Sequence, residues 1–167
     1  LLSDAGGPLF ATEMRSENPF DYAQLTFDFQ QNGNAPRELI KFNAVIGQFN
    51  NESNTTFTTT PAGGGGANSY ATSSATENLD LSAKLDVEQP QADERFFTFG
   101  AAYDYSEERF ENTLTAISGV TPPGYAAVLD GESQSLAGYV TYQFDIGDWT
   151  LLPGLRAEGY WREVNSG

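Results

Sequence analysis

Apolar and polar residues alternate along six stretches of this chain, residues 22–31, 38–49, 77–87, 95–110, 134–146 and 149–163. The last two are the plainest. Leu136, Gly138, Val140, Tyr142, Phe144 and Ile146 occupy the even positions, and Ala137, Tyr139, Thr141, Gln143 and Asp145 the odd ones. After Gly147-Asp148 the pattern resumes as Trp149, Leu151, Pro153, Leu155, Ala157, Gly159 and Trp161, against Thr150, Gly154, Arg156, Glu158, Tyr160 and Arg162. Side chains point to opposite faces at successive strand residues, so period two predicts strands with one greasy and one wet face.

The remaining stretches follow the same rule. Ala23, Leu25, Phe27 and Phe29 alternate with Gln24, Thr26, Asp28 and Gln30. Leu79, Leu81, Ala83, Leu85 and Val87 alternate with Asp80, Ser82, Lys84 and Asp86. Phe97, Phe99, Ala101, Tyr103 and Tyr105 stand opposite Thr98, Gly100, Ala102, Asp104 and Ser106. In the second stretch Ile40, Phe42, Ala44 and Ile46 keep the period, while Leu39, Val45 and Phe49 blur it. The connections alternate between short and long. Asn32-Gly33-Asn34-Ala35-Pro36, Glu88–Glu94 and Gly147-Asp148 read as turns, with Asn-Gly suited to the positive φ of a hairpin. Residues 1–20, with no clean period and with Gly6, Gly7, Pro8 and Pro19, the Thr- and Gly-rich 50–76, too polar to bury a core, and 112–133, with Pro122-Pro123-Gly124, read as loops. Short turns make neighbours antiparallel, so the expected fold is an all-β, antiparallel up-and-down meander of about six strands, with no helix.

What covers the greasy face decides the function class. Two patterns favour lipid. Short turns at one end and long loops at the other are the habit of outer-membrane barrels. Aromatic residues also collect near the ends of the greasy face, with Tyr22, Phe97, Tyr105, Phe144, Trp149 and Trp161 as candidate girdle residues. Trp149 and Trp161 lie on one face, and at ~3.3 Å per residue and a tilt near ~40° they project to about 30 Å along the membrane normal. On the wet face Asp104, Tyr139, Arg156 and Glu158 become candidates for lining a lumen. Six strands are too few to close such a barrel, so the arc is expected to belong to a larger transmembrane β-barrel, its edges paired by other strands. The alternative is a soluble all-β surface module, adhesin-like or carbohydrate-binding, with the Leu79–Val87 face packed in a sheet-on-sheet core.

Charge and composition narrow the rest. The net charge is −15 with only eight Lys and Arg among 167 residues, which argues against nucleic-acid binding. There is no Cys and no His, so disulfides, His- or Cys-ligated zinc, Cys nucleophiles and Ser-His-Asp triads are excluded. No window approaches the length of apolar residues that a membrane helix needs, which leaves membrane strands open. Glu107, Glu108 and Glu111 would be the carboxylates of a glycosidase, yet a solvated charge run around Arg109 is the preferred reading. Asp130-Gly131-Glu132-Ser133 offers oxygen atoms to calcium but lacks the spacing of a calcium loop. The run Gly63–Gly66 lacks the Lys-Ser/Thr of a phosphate loop, and the sequons at Asn51 and Asn54 are matches expected by chance in such a segment. No enzymatic activity, metal or cofactor is expected.

The segment Ser135-Leu136-Ala137-Gly138-Tyr139-Val140-Thr141-Tyr142, followed by Trp149-Thr150-Leu151-Leu152-Pro153-Gly154-Leu155-Arg156-Ala157-Glu158, resembles a hairpin of TonB-dependent outer-membrane receptors. Leu79-Asp80-Leu81-Ser82-Ala83-Lys84-Leu85-Asp86 is similar to mid-barrel strands of that family. The resemblance implies about 22 strands closed around an N-terminal plug, and TonB-driven uptake of iron chelates, vitamins or sugars across the bacterial outer membrane. Neither a plug nor a TonB-contacting segment is recognisable, and the chain opens on Leu1-Leu2-Ser3-Asp4 without an initiator Met, so an internal fragment of a receptor is expected. Its partners would then be outer-membrane lipid, the remaining strands and plug, and TonB through that plug.

Overall fold

The computed structural model describes residues 10–34, 37–63, 65–91, 95–119 and 123–167. They form one antiparallel sheet of eight segments: β1 (Phe10–Glu17), β2 (Phe20–Asn32), β3 (Leu39–Pro61), β4 (Asn68–Pro90), β5 (Phe96–Ser118), β6 (Tyr125–Ile146), β7 (Trp149–Leu151) and β8 (Gly154–Ser166). No helix occurs among the described residues. β1 and β2 both pair with β3, and β7 and β8 both pair with β6. The register does not slip across either break: Glu17 opposes Asn54 and Phe20 opposes Asn51, while Leu151 opposes Phe144 and Gly154 opposes Thr141. Each break falls at a proline. The carbonyls of Pro19 and Pro153 still accept bonds from the Glu52 and Tyr142 amides, both at 3.0 Å. Neither proline has an N–H to return to the residue it faces, so each of these ladders loses one bond there. The eight segments therefore make six continuous ribbons in meander order, as the alternation predicts.

The strands are longer than expected. Most of 50–76 and 112–133, and residues 10–17, are not loop. β3 and β4 stay paired from Leu39↔Glu88 to Thr59↔Asn68, and β5 and β6 from Phe96↔Gln143 to Leu114↔Tyr125. The connections left between them are residues 62–67 and 119–124. β-branched Thr fits a pleated ladder well, so Thr55–Thr60 is strand despite its polarity. The hairpin after β2 differs too. The Gly33 amide donates to the Glu38 carbonyl at 2.8 Å, and the positive φ belongs to Arg37, at 69°. Ala35 and Pro36 lie outside the described residues. Gly147, with φ 59°, supplies the left-handed residue of the tight Gly147-Asp148 turn.

Register turns the separate alternations into one surface. Reading across β2, β3, β4, β5, β6 and β8, one row runs Leu25–Ile46–Leu81–Tyr105–Gln134–Trp161, and another Phe27–Ala44–Ala83–Tyr103–Leu136–Gly159. A third runs Phe29–Phe42–Leu85–Ala101–Gly138–Ala157. The apolar residues thus form an unbroken band on one face. Nothing among the described residues covers it: Leu25 is 69%, Leu155 73% and Trp149 75% exposed, and the only buried described residues are Ala137 and Ser69. Leu79–Val87, nine residues of β4, spans roughly 26 Å along the strand and about 20 Å along the normal at a ~40° tilt, within the ~25 Å apolar band of a membrane barrel.

Beyond this band, toward residues 62–67 and 119–124, the two faces exchange character. The face that was apolar now carries the row Asn50–Glu77–Arg109–Asp130–Asn165, and the row Gln48–Leu79–Glu107–Glu132–Glu163 marks the boundary. The opposite face, polar within the band, now carries Phe20, Tyr22, Phe49, Phe57, Tyr70, Phe110, Leu114, Tyr125 and Leu129. The exchange sets in near the row Tyr22–Phe49–Asn78–Glu108. A sheet apolar on one face and polar on the other becomes a sheet polar on the first face and partly aromatic on the second.

Two substitutions test this layout in the assembled barrel. Leu85→Arg puts a charge in the middle of the apolar band and is expected to cost about 2–4 kcal/mol. Thr113→Arg, on the same face beyond the switch, is expected to change stability by about 0.5 kcal/mol or less. Denaturant titration in lipid vesicles measures both, and equal costs would contradict the assignment. On the polar face the Tyr139 ring lies across Gly100, so that a Cβ at Gly100 would meet the Leu85 carbonyl and stand 2.5 Å from the Tyr139 hydroxyl. Gly100→Val is expected to destabilise by about 1–3 kcal/mol in the same titration, and a neutral result would mean that the ring is free to move aside.

Candidate lumen-facing site

The polar face of the band is the concave one. A single cavity of about 330 Å³ touches residues of β2, β3, β4, β5, β6 and β8 on this face, from Tyr22 to Tyr160. One cavity reaches both outer ribbons only if the sheet curls around it.

Period two and register together decide which side chains line this hollow. Of the lumen candidates, Tyr139 stands directly beside Arg156, Glu158 beside Ala137, and Asp104 beside Ser135, all on the concave face. The Ser135 hydroxyl donates to Asp104 at 3.2 Å. Arg156 Nη2 lies 3.1 Å from Glu158. Lys84 lies 3.1 Å from Asp86, with its ammonium 5.8 Å from the centre of the Tyr139 ring. Lys41 meets Glu88 at 2.7 Å, and the Asn43 amide donates to Asp28 at 2.7 Å. The band's inner wall is thus a layer of paired charges over a greasy sheet. Such pairs, half exposed, contribute little to stability; their effect is to keep the wall wet. The Tyr139 hydroxyl is buried over Gly100 and has no hydrogen-bond partner among the described residues.

The girdle candidates divide. Phe97, Tyr105, Phe144, Trp149 and Trp161 lie on the apolar face, where Phe97, Tyr142 and Phe144 make ring contacts at 6.4 and 5.5 Å. Tyr22 does not. It opposes Phe49 on the concave face, because the apolar frame of β2 runs through the odd residues Ala23 to Phe29. Tyr22 marks the start of the inverted region instead of a lipid girdle.

The acidic candidates are strand residues, alternating in direction. Glu107 and Glu111 point to the outer face and Glu108 to the inner one, so the three do not converge. Arg109 lies between Glu111, at 2.5 Å, and Asp130, at 3.9 Å. The hydrogen bond to Glu111, followed by the charges of Glu111 and Asp130, raises the already high pKa of its guanidinium. Asp130 and Glu132 belong to β6 and share one face, while Gly131 and Ser133 occupy the other, so this tetrapeptide does not wrap around an ion. No group of three metal-ligating side chains occurs among the described residues.

Asp80 was already among the charges of the polar face, while sequence reasoning passed over Phe49 and Tyr160 as cavity residues. Their signal was present as a phase shift: in β5 the apolar residues are odd up to Tyr105 and even from Phe110, and β3 shifts likewise between Ile46 and Phe49.

No curated protein matches the chain. Two solved structures are similar to it in part. The unliganded ferric citrate transporter FecA is 16% identical with a TM-score of 0.42, over 94% of this chain and 31% of that one. The alcaligin outer membrane receptor FauA from Bordetella pertussis is 9% identical with a TM-score of 0.23, over 95% of this chain and 37% of that one. The chain thus spans about a third of the length of either. The pattern of the outer membrane protein beta-barrel family matches residues 28–167, five of the six ribbons in full. An open sheet with an exposed apolar band and a polar concave face is what a piece of such a wall should look like, and the chain belongs to the outer membrane protein beta-barrel family of the bacterial outer membrane.

Proposed function

We propose that this chain forms part of the wall of a TonB-dependent outer-membrane transporter, one that takes up an iron chelate, a vitamin or a sugar. The reading is carried by the Trp149–Glu158 strand and its partner Ser135–Tyr142, whose residues resemble a hairpin of that receptor family. The open sheet supports it. β2 and β8 carry apolar rows to both margins, and a backbone edge in hydrocarbon must be hydrogen-bonded. Further strands therefore close the barrel, and a plug would sit against the charged inner wall. The two-residue Gly147-Asp148 turn marks the periplasmic end, and the polar extensions of β3 to β6 project outside the cell. The chain catalyses nothing; its side chains separate lipid from lumen and guide a solute.

Growth on limiting chelated iron, cobalamin or glycan tests the proposal. Deleting the parent gene is expected to abolish growth on one of these nutrients, and deleting TonB to give the same defect. Growth unimpaired on all three would refute transport of this kind. Expression of the 167 residues alone as a soluble, cooperatively folding monomer would refute the barrel wall itself.

A further inference from the structure

We infer that the cavity at the switch row is a binding site for a small organic cation, an ammonium or guanidinium group presented by a solute. The inference rests on the proposal that the concave face lines a lumen. The cavity, about 330 Å³, lies within the size range of ligand pockets. Tyr22, Phe49 and Tyr160 line it together with Asp80 and Asp104. No Lys or Arg lines it. Asp80 opposes Ser106 and Asp104 opposes Ser82, so the two aspartates are diagonal neighbours on one face, their Cα atoms roughly 7–8 Å apart. Both line the one cavity.

The surroundings leave these carboxylates without a counter-charge. Lys41 is held by Glu88, Lys84 by Asp86 and Arg156 by Glu158. Arg162 shares the register row of Asp80 but stands three ladders away, outside the lining. Asp104 receives only the Ser135 hydroxyl, and Asp80 has no ion pair or side-chain hydrogen bond among the described residues. Tyr22 and Tyr160 are 61% and 62% exposed, so their rings are open to a ligand. A cation beside a carboxylate and near an aromatic ring is favoured over its neutral analogue on both counts. The wall already shows this arrangement one row below, where the Lys84 ammonium meets Asp86 and lies 5.8 Å from the Tyr139 ring.

Calorimetric titration of the complete barrel in detergent with choline, and with its uncharged isostere 3,3-dimethyl-1-butanol, tests the site. Choline is expected to bind about tenfold or more tightly than the alcohol. Asp80→Asn and Asp104→Asn are each expected to weaken choline about fivefold or more and to leave the alcohol unchanged. Equal affinity for the two probes, or choline binding unaffected in the double variant, would overturn the inference. The comparison of probes on the unmodified barrel decides the matter even if a variant fails to fold. A barrel that migrates as a folded species on unheated gels yet shows no preference for choline rejects the site alone. A protein that never inserts into detergent or lipid rejects the wall, and the site with it.

Discussion

The rest of the structure depends on backbone hydrogen bonding in a medium that offers none. In hydrocarbon each unpaired N–H or C=O costs several kcal/mol, so the ladders must be continuous where the apolar band lies. They are. β3 to β6 stay in register through the whole band, and the interruptions at Pro19 and Pro153 fall on the outermost ribbons, where each carbonyl remains bonded. Continuity has a second effect. With period two, an unbroken register forces the apolar residues of six ribbons onto one face, and a slip of one residue in any ladder would carry charge into lipid.

The inversion beyond the band follows from a change of solvent on the same strands. Inside the bilayer the outer face meets lipid and the inner face meets water, so Leu85 points out and Lys84 in. Outside the bilayer the outer face meets water, so Glu77, Arg109, Asp130 and Glu163 occupy it. The inner face there is freed from the need to be wet and carries aromatic residues, among them Phe57 stacked on Tyr70 at 4.9 Å. The proposed cation site lies where these regimes meet, which is why rings and carboxylates share one cavity.

The band was legible in the sequence because Leu79–Val87 and Leu136–Ile146 alternate without a fault, and the same period assigned Asp104, Tyr139, Arg156 and Glu158 to the wet face. The extensions were not. Thr55–Thr60 and Asp130–Ser133 are polar on one face and only sparsely aromatic on the other, so composition alone pointed to loop. Tyr22 was assigned to lipid by its place near a strand end, although its parity sets it with Gln24 and Thr26. The contacts of Tyr139 with Gly100 and Lys84 had no trace in the sequence, because residues 39 and 55 positions apart become neighbours only through the ladders β4–β5 and β5–β6.

The inversion is the central claim, and the absence of Cys makes it directly measurable with single introduced thiols. Spin labels at positions 83, 85, 107, 109 and 111, introduced one at a time into the barrel in lipid vesicles, can be probed with oxygen and with a water-soluble nickel chelate. These positions share one face of β4 and β5. Labels at 83 and 85 should be relaxed by oxygen and shielded from nickel, and labels at 107, 109 and 111 should be relaxed by nickel. Oxygen dominance along the whole face, or nickel access at 83 and 85, would contradict the account.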